Sequence, residues 1–533
     1  MSAQPAAVIV LAAGEGTRMK SRTPKVLHRI AGRSLLGFAL RAGAELEPRR
    51  LAVVVRHGRD AVAAHAEEEL PGVLVVDQDA IPGTGRAVQC ALGVLDAKEE
   101  AGAALLSGAV GSATGRKIEG AVVVTAGDVP LLDSATLREL VAAHEADGNA
   151  VTLLSTRMED PYGYGRVVRD ENGDVVAVVE EKDATDEQRA IDEINAAVYV
   201  FDAAVLREAL AQVDDANAQG EVYLTDVVAL AHRAGKRVRA LLVEDPWLVT
   251  GVNDRAQLAA VGAELNRRIV TEWMREGVTV VDPASTWIDL DVRLGRDVTI
   301  HPGTQLHGST TVGDGAEIGP DTTLRDVVVG EEATVVRTHG FSARIGARAT
   351  VGPFAYLRQD TVLGDEGKIG TFVETKDAQI GTGSKIPHLS YVGDAEIGDD
   401  TNIGAASVFV NYDGVRKHRS KVGHGARTGS DNMFVAPVTV GDGAYTGAGT
   451  VLLKDVPPGA LAINTTTQRN IEGWVLRRRP GTPSAEAARK ALEASAESEL
   501  SPQARAELAR GNHGAPRDGG AAPSDTTGSS TER

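Results

Sequence analysis

Two spacings of hydrophobic residues divide this chain. From residue 1 to about 252, short apolar runs recur between longer segments of helical spacing. Val8–Leu11, Leu51–Val55, Val73–Val76 and Ala121–Thr125 read as buried strands, because their apolar residues fall on both sides of the pleat. Ala87–Leu95 and Ser134–His144 carry apolar residues at helical intervals. Strands alternating with helices predict an α/β domain on a mainly parallel sheet, which places ligands at the carboxyl ends of the strands. Residues 98–118 are small, polar and without period, which predicts a surface insertion.

Residues 254–276 return to helical periodicity, with Asn253 or Asp254 placed to cap the start and Gly277 to stop the end. This predicts a linker helix over 253–277. From about 278 to 468 the apolar period shortens to about six. Val312-Gly313 is followed by Ile318-Gly319, Ile345-Gly346 by Val351-Gly352, Ile397-Gly398 by Ile403-Gly404, and Val440-Gly441 by Thr446-Gly447. Such a hexapeptide repeat predicts a parallel β-helix in which each short strand turns one apolar side chain inward and stacked coils bury a continuous core. The stretch Phe409–Lys421 breaks the period and is expected to loop out. Residues 480–533 are rich in Ala, Ser, Gly and Pro; Ala485–Leu508 has the makings of a transient helix and the end of a disordered tail.

Composition changes this picture in three ways. Aromatic residues make up only 4% of the chain while 59 residues are Gly, which suits a fold built on tight turns and small side chains. A net charge of −18 argues against nucleic acid or an anionic membrane as the main partner. Cys90 is the only cysteine, so no intrachain disulfide forms and a reducing compartment fits. With no signal peptide and no run long enough to span a bilayer, the expected location is the cytoplasm.

Candidate chemistry begins at the first strand. Leu11-Ala-Ala-Gly-Glu-Gly-Thr-Arg-Met…Pro-Lys25 breaks a buried strand into a glycine turn, whose backbone N–H groups are suited to phosphate oxygens. Arg18 and Lys25 add fixed positive charge, and Pro24 stiffens the approach to Lys25. This run resembles the signature of sugar-phosphate nucleotidyltransferases, which join a sugar 1-phosphate to a nucleoside triphosphate. Gly127-Asp128 closes another buried strand with a carboxylate suited to Mg²⁺. Gln78 and Gly83-Thr84-Gly85 form a second polar turn, suited to a base edge. In the repeat region one polar cluster stands out: Leu357-Arg358, Glu374-Thr-Lys376, His388-Leu-Ser-Tyr391, Asn402 and Asn411-Tyr412-Asp413-Gly414. His388 is the candidate general base, as imidazole changes charge near neutral pH.

Taken together with Tyr162-Gly-Tyr-Gly-Arg166, Glu180–Asp183, Glu193-Ile-Asn195 and Gly251-Val-Asn253, these motifs resemble the bacterial GlmU family over residues 6–475. That family couples N-acetylglucosamine-1-phosphate uridyltransferase and glucosamine-1-phosphate acetyltransferase activities. The resemblance implies a Rossmann-like nucleotidyltransferase domain over 1–252, the linker helix, and an acetyltransferase domain built as a left-handed parallel β-helix over 278–479. It implies nucleotide-sugar contacts at Leu11, Ala12, Ala13, Gly14, Lys25, Gln78, Gly83, Thr84, Gly127, Gly165, Glu180, Asn195 and Asn253, with Mg²⁺ ligands at Asp128 and Asn253. Glucosamine 1-phosphate is expected at Arg358, Lys376, Tyr391 and Asn402, and acetyl-CoA at Ala405, Asn411, Tyr412, Ser430 and Ala448. Lys25 and Arg18 are expected to act on the phosphates and His388 on the amine. The substrates implied are UTP, N-acetylglucosamine 1-phosphate, glucosamine 1-phosphate and acetyl-CoA; the product is a peptidoglycan precursor, and the assembly a homotrimer.

Two departures accompany the resemblance. Ala126 stands where the family carries an aromatic or hydroxyl residue, and Thr465 where it carries a basic CoA contact, with Arg469 or Arg477–Arg479 as candidate replacements. Three alternatives stay open at this point. One is a single-activity nucleotidyltransferase whose β-helix regulates or oligomerises. Another is a repeat scaffold with an inactive first domain. The third is a metal-dependent hexapeptide enzyme using His388, His418 and His424.

Overall fold

The central strands of the first half are buried on both faces, and that dictates their neighbours. A computed structural model describes residues 4–107, 116–464 and 468–494, together with Gln503. Its strands β1 (Ala7–Ala12), β2 (Leu51–Val55), β3 (Leu74–Asp77), β4 (Ala121–Ala126), β5 (Val151–Arg157), β6 (Arg166–Arg169), β7 (Val175–Val179), β8 (Glu193–Asp202) and β9 (Val238–Leu242) form one sheet. Its main path runs β9-β5-β8-β4-β1-β2-β3, with β6 joining β8 and β7 joining β6. The four strands β3-β2-β1-β4 are parallel, and β8 turns antiparallel to β4 and β5. The alternation along β1 explains the sandwich: Ala7 and Ile9 pack into one core cluster, Val8 and Val10 into the cluster on the other face.

The helix that leaves β3 runs Thr84–Ser107. The expectation of an aperiodic insertion from 98 is therefore corrected up to 107: Lys98-Glu-Glu-Ala-Gly-Ala-Ala-Leu-Leu-Ser107 prolongs an existing helix, as its good helix formers allow. Residues 108–115 lie outside the described residues. The helix Ser134–Ala146 starts at Asp133, whose side chain accepts from the N–H of Thr136.

The helix Arg255–Arg275 is capped by Asp254, whose side chain accepts from the N–H of Gln257, and Gly277 follows with φ +98°. Its Val261 and Leu265 pack with Ile30, Leu35 and Leu131. Val270, Ile269 and Trp273 pack on the first coils of the repeat region. Asn266 fixes the junction: its amide donates to the carbonyl of Thr286 at 2.7 Å and its oxygen accepts from the N–H of Ile288 at 3.0 Å.

The repeats wind into a parallel β-helix. One face is a column of seven strands from Thr279–Val280 to Lys385–His388, and a path of seventeen strands winds over the rest. Glu317 lies over Thr299 and Thr334 over Glu317, so one coil takes about three hexapeptides. The glycine of each repeat has a specific cause. A Cβ on Gly346 would sit 2.5 Å from the backbone N of Asp365, and one on Gly364 2.6 Å from that of Thr382. Only a residue without a side chain lets successive coils approach at that corner. The apolar partners of these glycines, such as Ile318, Ile345 and Val440, join one core running from Val278 to Val456.

The period breaks less widely than expected. Phe409 is buried and stacks on Phe434 with centroids 4.4 Å apart, and Ser420–Val422 is a coil strand. The excursion is confined to Tyr412–Arg419, because Phe409 and Asn411 are held in the coil. The remaining described part of the chain, a separate unit from residue 464, holds the helices Trp474–Arg478 and Pro483–Ala494, which contact one another. Thr465, 495–502 and 504–533 lie outside the described residues.

Candidate active sites

The first site forms where four parallel strands end side by side. Ala12 pairs with Val55, Val55 with Asp77, and Leu11 with Ala126. Gln78, Ala13 and Gly127-Asp128 therefore leave the same edge of the sheet. They open onto a cleft of about 570 Å³. Leu11, Ala12, Ala13, Gly14, Lys25, Gln78, Gly83, Thr84, Asp128, Glu180 and Asn195 line it.

The glycine turn places Lys25. Gly16 is left-handed at φ +67°, and a Cβ there would stand 2.6 Å from Cβ of Lys25. The turn thus packs directly on the lysine stem. Gly14 faces open space, which leaves its backbone accessible to a ligand. Lys25 Nζ donates to Oδ2 of Asp128 in a half-buried ion pair and to Oδ1 of Asn253 at 3.3 Å. The N–H of Val252 donates to the carbonyl of Asp128 at 2.9 Å and ties the two loops together.

Gln78 spends both amide hydrogens inside the protein, donating to the carbonyls of Ile81 at 2.9 Å and Gly83 at 3.0 Å. It presents a ligand with an acceptor only. Gly83, at φ +118°, has Val222 against it: a Cβ would meet the carbonyl oxygen of Val222 at 2.2 Å. The N–H of Leu224 donates to Thr84 Oγ1 at 3.1 Å. At the far end Asn195 donates to the hydroxyl of Tyr199 at 2.7 Å, and Thr225 donates to Glu180 at 3.2 Å. Burial pushes the Glu180 carboxyl above its ordinary range.

Four of the expected residues lie off the lining. Gly127 sits behind it, with its N–H on the carbonyl of Leu11 at 2.8 Å. Gly165 backs Asn195 by accepting its N–H at 2.8 Å. Arg18 is exposed beside the turn. Asn253 reaches the site through Lys25.

The second group lies on the β-helix. Glu374 pairs with Tyr356 on one side and Tyr391 on the other, so these side chains stand in one outward row. Arg358 Nη1 donates to Glu374 at 2.9 Å. Lys376 stands two residues along the same strand, its Nζ 3.8 Å from the buried Asp394. The amide of Asn411 donates to Asp394 and, at 3.3 Å, to the Tyr391 hydroxyl. Gly393 makes room for that hydroxyl, which a Cβ would meet at 2.3 Å. From the excursion, Lys417 comes beside Lys376, and the interaction of the two amines holds Lys376 above and Lys417 below the ordinary lysine range. Tyr412 is exposed and its hydroxyl donates to the Gly414 carbonyl.

His388 is exposed at the corner that ends its strand. Its carbonyl accepts the N–H of Ala406, that of Ala405 the N–H of Asp431, and that of Ser430 the N–H of Gly449. His388, Ala405, Ser430 and Ala448 therefore occupy the same corner of successive coils. Three coil steps at the spacing of paired strands make this column roughly 14 Å long. Asn402 is set on the adjoining face, bridged to Lys385 and Arg427. His418 pairs with Asp413 at 2.7 Å, while His424 Nδ1 accepts the N–H of Asp399 at 3.0 Å.

Both regions match known proteins. The profile described as the MobA-like NTP transferase domain matches residues 8–221, and that of the bacterial transferase hexapeptide (six repeats) matches 291–326. The chain is similar to a protein named bifunctional protein GlmU from Pseudarthrobacter chlorophenolicus, 60% identical over 92% of this chain and 96% of that one. The protein of the same name from Kineococcus radiotolerans is 62% identical over 92% and 96%, and that from Corynebacterium jeikeium 58% identical over 92% and 97%. The chain belongs to the GlmU family.

Within this GlmU chain the sequence reading missed residues that no motif marks. Arg56, His57, Tyr199, Glu221, Leu224 and Thr225 also line the first cleft. The last three arrive because Gly83 docks on Val222, and the Gly-Thr-Gly turn was the available signal. Around the second group Gly393, Asp394 and Lys417 were missed; Gly393-Asp394 follows Tyr391 directly.

Proposed function

We propose that each activity of this bifunctional enzyme resides in one of the two centres, each with its own set of acting residues. The enzyme transfers acetyl from acetyl-CoA to glucosamine 1-phosphate, then uridylyl from UTP to the resulting N-acetylglucosamine 1-phosphate. The observation that supports the division is the convergence of Lys25, Asp128 and Asn253 in one cleft, while His388 heads a separate corner column.

In the β-helix centre, Arg358, Lys376 and Lys417 provide the positive charge that a sugar phosphate requires. His388 accepts a proton from the sugar amine as its nitrogen attacks the thioester carbonyl. A C–N bond forms, the C–S bond breaks, and CoA leaves as the thiol. The corner column suits an extended thioester arm, because its small residues Ala405, Ser430 and Ala448 leave the backbone approachable.

In the cleft, Gln78 accepts a hydrogen bond from the base, and the turn at Gly14 lies along the phosphates. The phosphate oxygen of N-acetylglucosamine 1-phosphate attacks the α-phosphorus of UTP in line and pyrophosphate leaves. Lys25 and Arg18 stabilise the charge that develops, so positioning and electrostatics carry the catalysis. Asp128 and Asn253 fit Mg²⁺, since their oxygens already converge on one cation, the Lys25 ammonium. Mg²⁺ uses few protein oxygens and takes its others from water and phosphate. When bound, it neutralises charge on the phosphate oxygens.

The proposal extends to a homotrimer, a cytoplasmic location and a role in supplying peptidoglycan precursor. Among the described residues no helix is long and apolar enough to cross a membrane. The test is two separate incubations. UTP with N-acetylglucosamine 1-phosphate is expected to release pyrophosphate, and acetyl-CoA with glucosamine 1-phosphate to release thiol. Pyrophosphate release without thiol release would leave a single-activity nucleotidyltransferase. Light scattering is expected to report three copies, and a monomer at micromolar concentration would count against the trimer.

A further inference from the structure

The strand ends that build the nucleotide cleft include one that carries no assigned role. In the parallel set, β2 lies between β1 and β3, with Val55 paired to Ala12 on one side and Asp77 on the other. The residues that follow on the two flanking strands, Ala13 and Gln78, are nucleotide contacts in the proposed uridyltransferase centre. The residue that follows on the middle strand is Arg56, and it lines the same cleft.

Two features hold Arg56 in place. Its Nη2 donates to the carbonyl of Ala80 at 3.0 Å, within the turn that Gln78 braces. Two residues on, Gly58 is left-handed and packs on Pro24, where a Cβ would stand 2.6 Å from Cγ. The loop is thus wedged between the base-side turn and the segment that delivers Lys25. Arg56 makes no ion pair among the described residues: Asp79, whose carboxyl its charge helps to lower, is hydrogen-bonded by Arg86 instead. Lys25, by contrast, is already shared between Asp128 and Asn253. A guanidinium has five donors in a rigid fork, and here one is engaged.

We infer that Arg56 is a further nucleotide-contacting residue, which donates to the ribose–phosphate portion of UTP lying between the base at Gln78 and the phosphates at Gly14. The assignment rests on the uridyltransferase reading of the cleft. It predicts selectivity for the nucleotide over the sugar, because the sugar end of the cleft is formed by other strands, around Glu180 and Asn195.

The test uses the full chain with Arg56→Ala and Arg56→Lys. Initial rates of pyrophosphate release are measured with UTP varied, then with N-acetylglucosamine 1-phosphate varied. UTP binding alone is measured by calorimetry. For Arg56→Ala the KM for UTP and its Kd are expected to rise about tenfold, the scale of one lost charge-assisted hydrogen bond. The KM for the sugar phosphate and the acetyl-transfer rate are expected to stay within about twofold of wild type, since neither rests on this hydrogen bond. Arg56→Lys is expected to recover part of the loss through its charge. A UTP KM and Kd unchanged in Arg56→Ala would overturn the inference, as would an equal rise for both substrates. If wild type binds UTP in an Arg56-dependent way without turnover, the inference stands and the uridyltransferase reading fails. If wild type does not bind UTP, both fail.

Discussion

Gly16→Ala isolates how far the glycine turn controls Lys25. The added methyl would stand 2.6 Å from the Lys25 Cβ. Restoring an ordinary contact of 3.4 Å displaces the lysine stem by about 0.8 Å. Alanine in the left-handed region also costs about 1–2 kcal/mol. Neither effect unfolds a domain of this size, but Lys25 Nζ is placed by contacts to Asp128 and Asn253 that a shift of this size breaks. A misplacement near 1 Å costs about a hundredfold in rate. Uridyl transfer, followed as pyrophosphate release at saturating substrates, is therefore expected to fall by about two orders of magnitude. Acetyl transfer in the same preparation should be unaffected. Wild-type uridyl transfer by Gly16→Ala would show that the turn does not position Lys25, and equal loss of both activities would show that the damage is global.

Other substitutions probe the division of labour. Lys25→Ala and Asp128→Ala should each abolish pyrophosphate release while sparing thiol release from acetyl-CoA; joint loss of both activities contradicts two separate centres. His388→Ala should remove acetyl transfer and leave uridyl transfer intact, and wild-type acetylation by that variant would rule out the base. Phe434→Ala removes half of a buried ring stack and should destabilise the β-helix by about 3–5 kcal/mol, seen as a lowered thermal transition. No change in melting would mean that neighbouring coils refill the space.

The parts of the fold legible in the sequence are those where one physical cause repeats. Ile345-Gly346 and its equivalents advertise the β-helix, because every coil must bury an aliphatic residue and bring two backbones together at one corner. The helix from 98 to 107 was not legible, since it extends without an apolar stripe of its own. Phe409 looked like the start of an excursion because its ring partner, Phe434, belongs to the next coil. The same limit applies to the sites. The glycine turn, Gly127-Asp128 and the His388 cluster are local motifs. Glu221 and Thr225 reach their centre only through packing between distant segments. The loop end at Arg56 was hidden for a related reason, because its position is defined by strand register rather than by any motif.

The wound half also acts as a protractor. Because three hexapeptides complete a coil, excising six residues between the helix Arg255–Arg275 and His388 would turn everything downstream by a third of a revolution, about 120°. Removing a whole coil would keep the bearing and shorten the shaft by about 4.8 Å. The angle at which one catalytic centre faces relative to the other is thus written in the number of repeats that separate them. Changes in that number should be tolerated in threes and resisted otherwise.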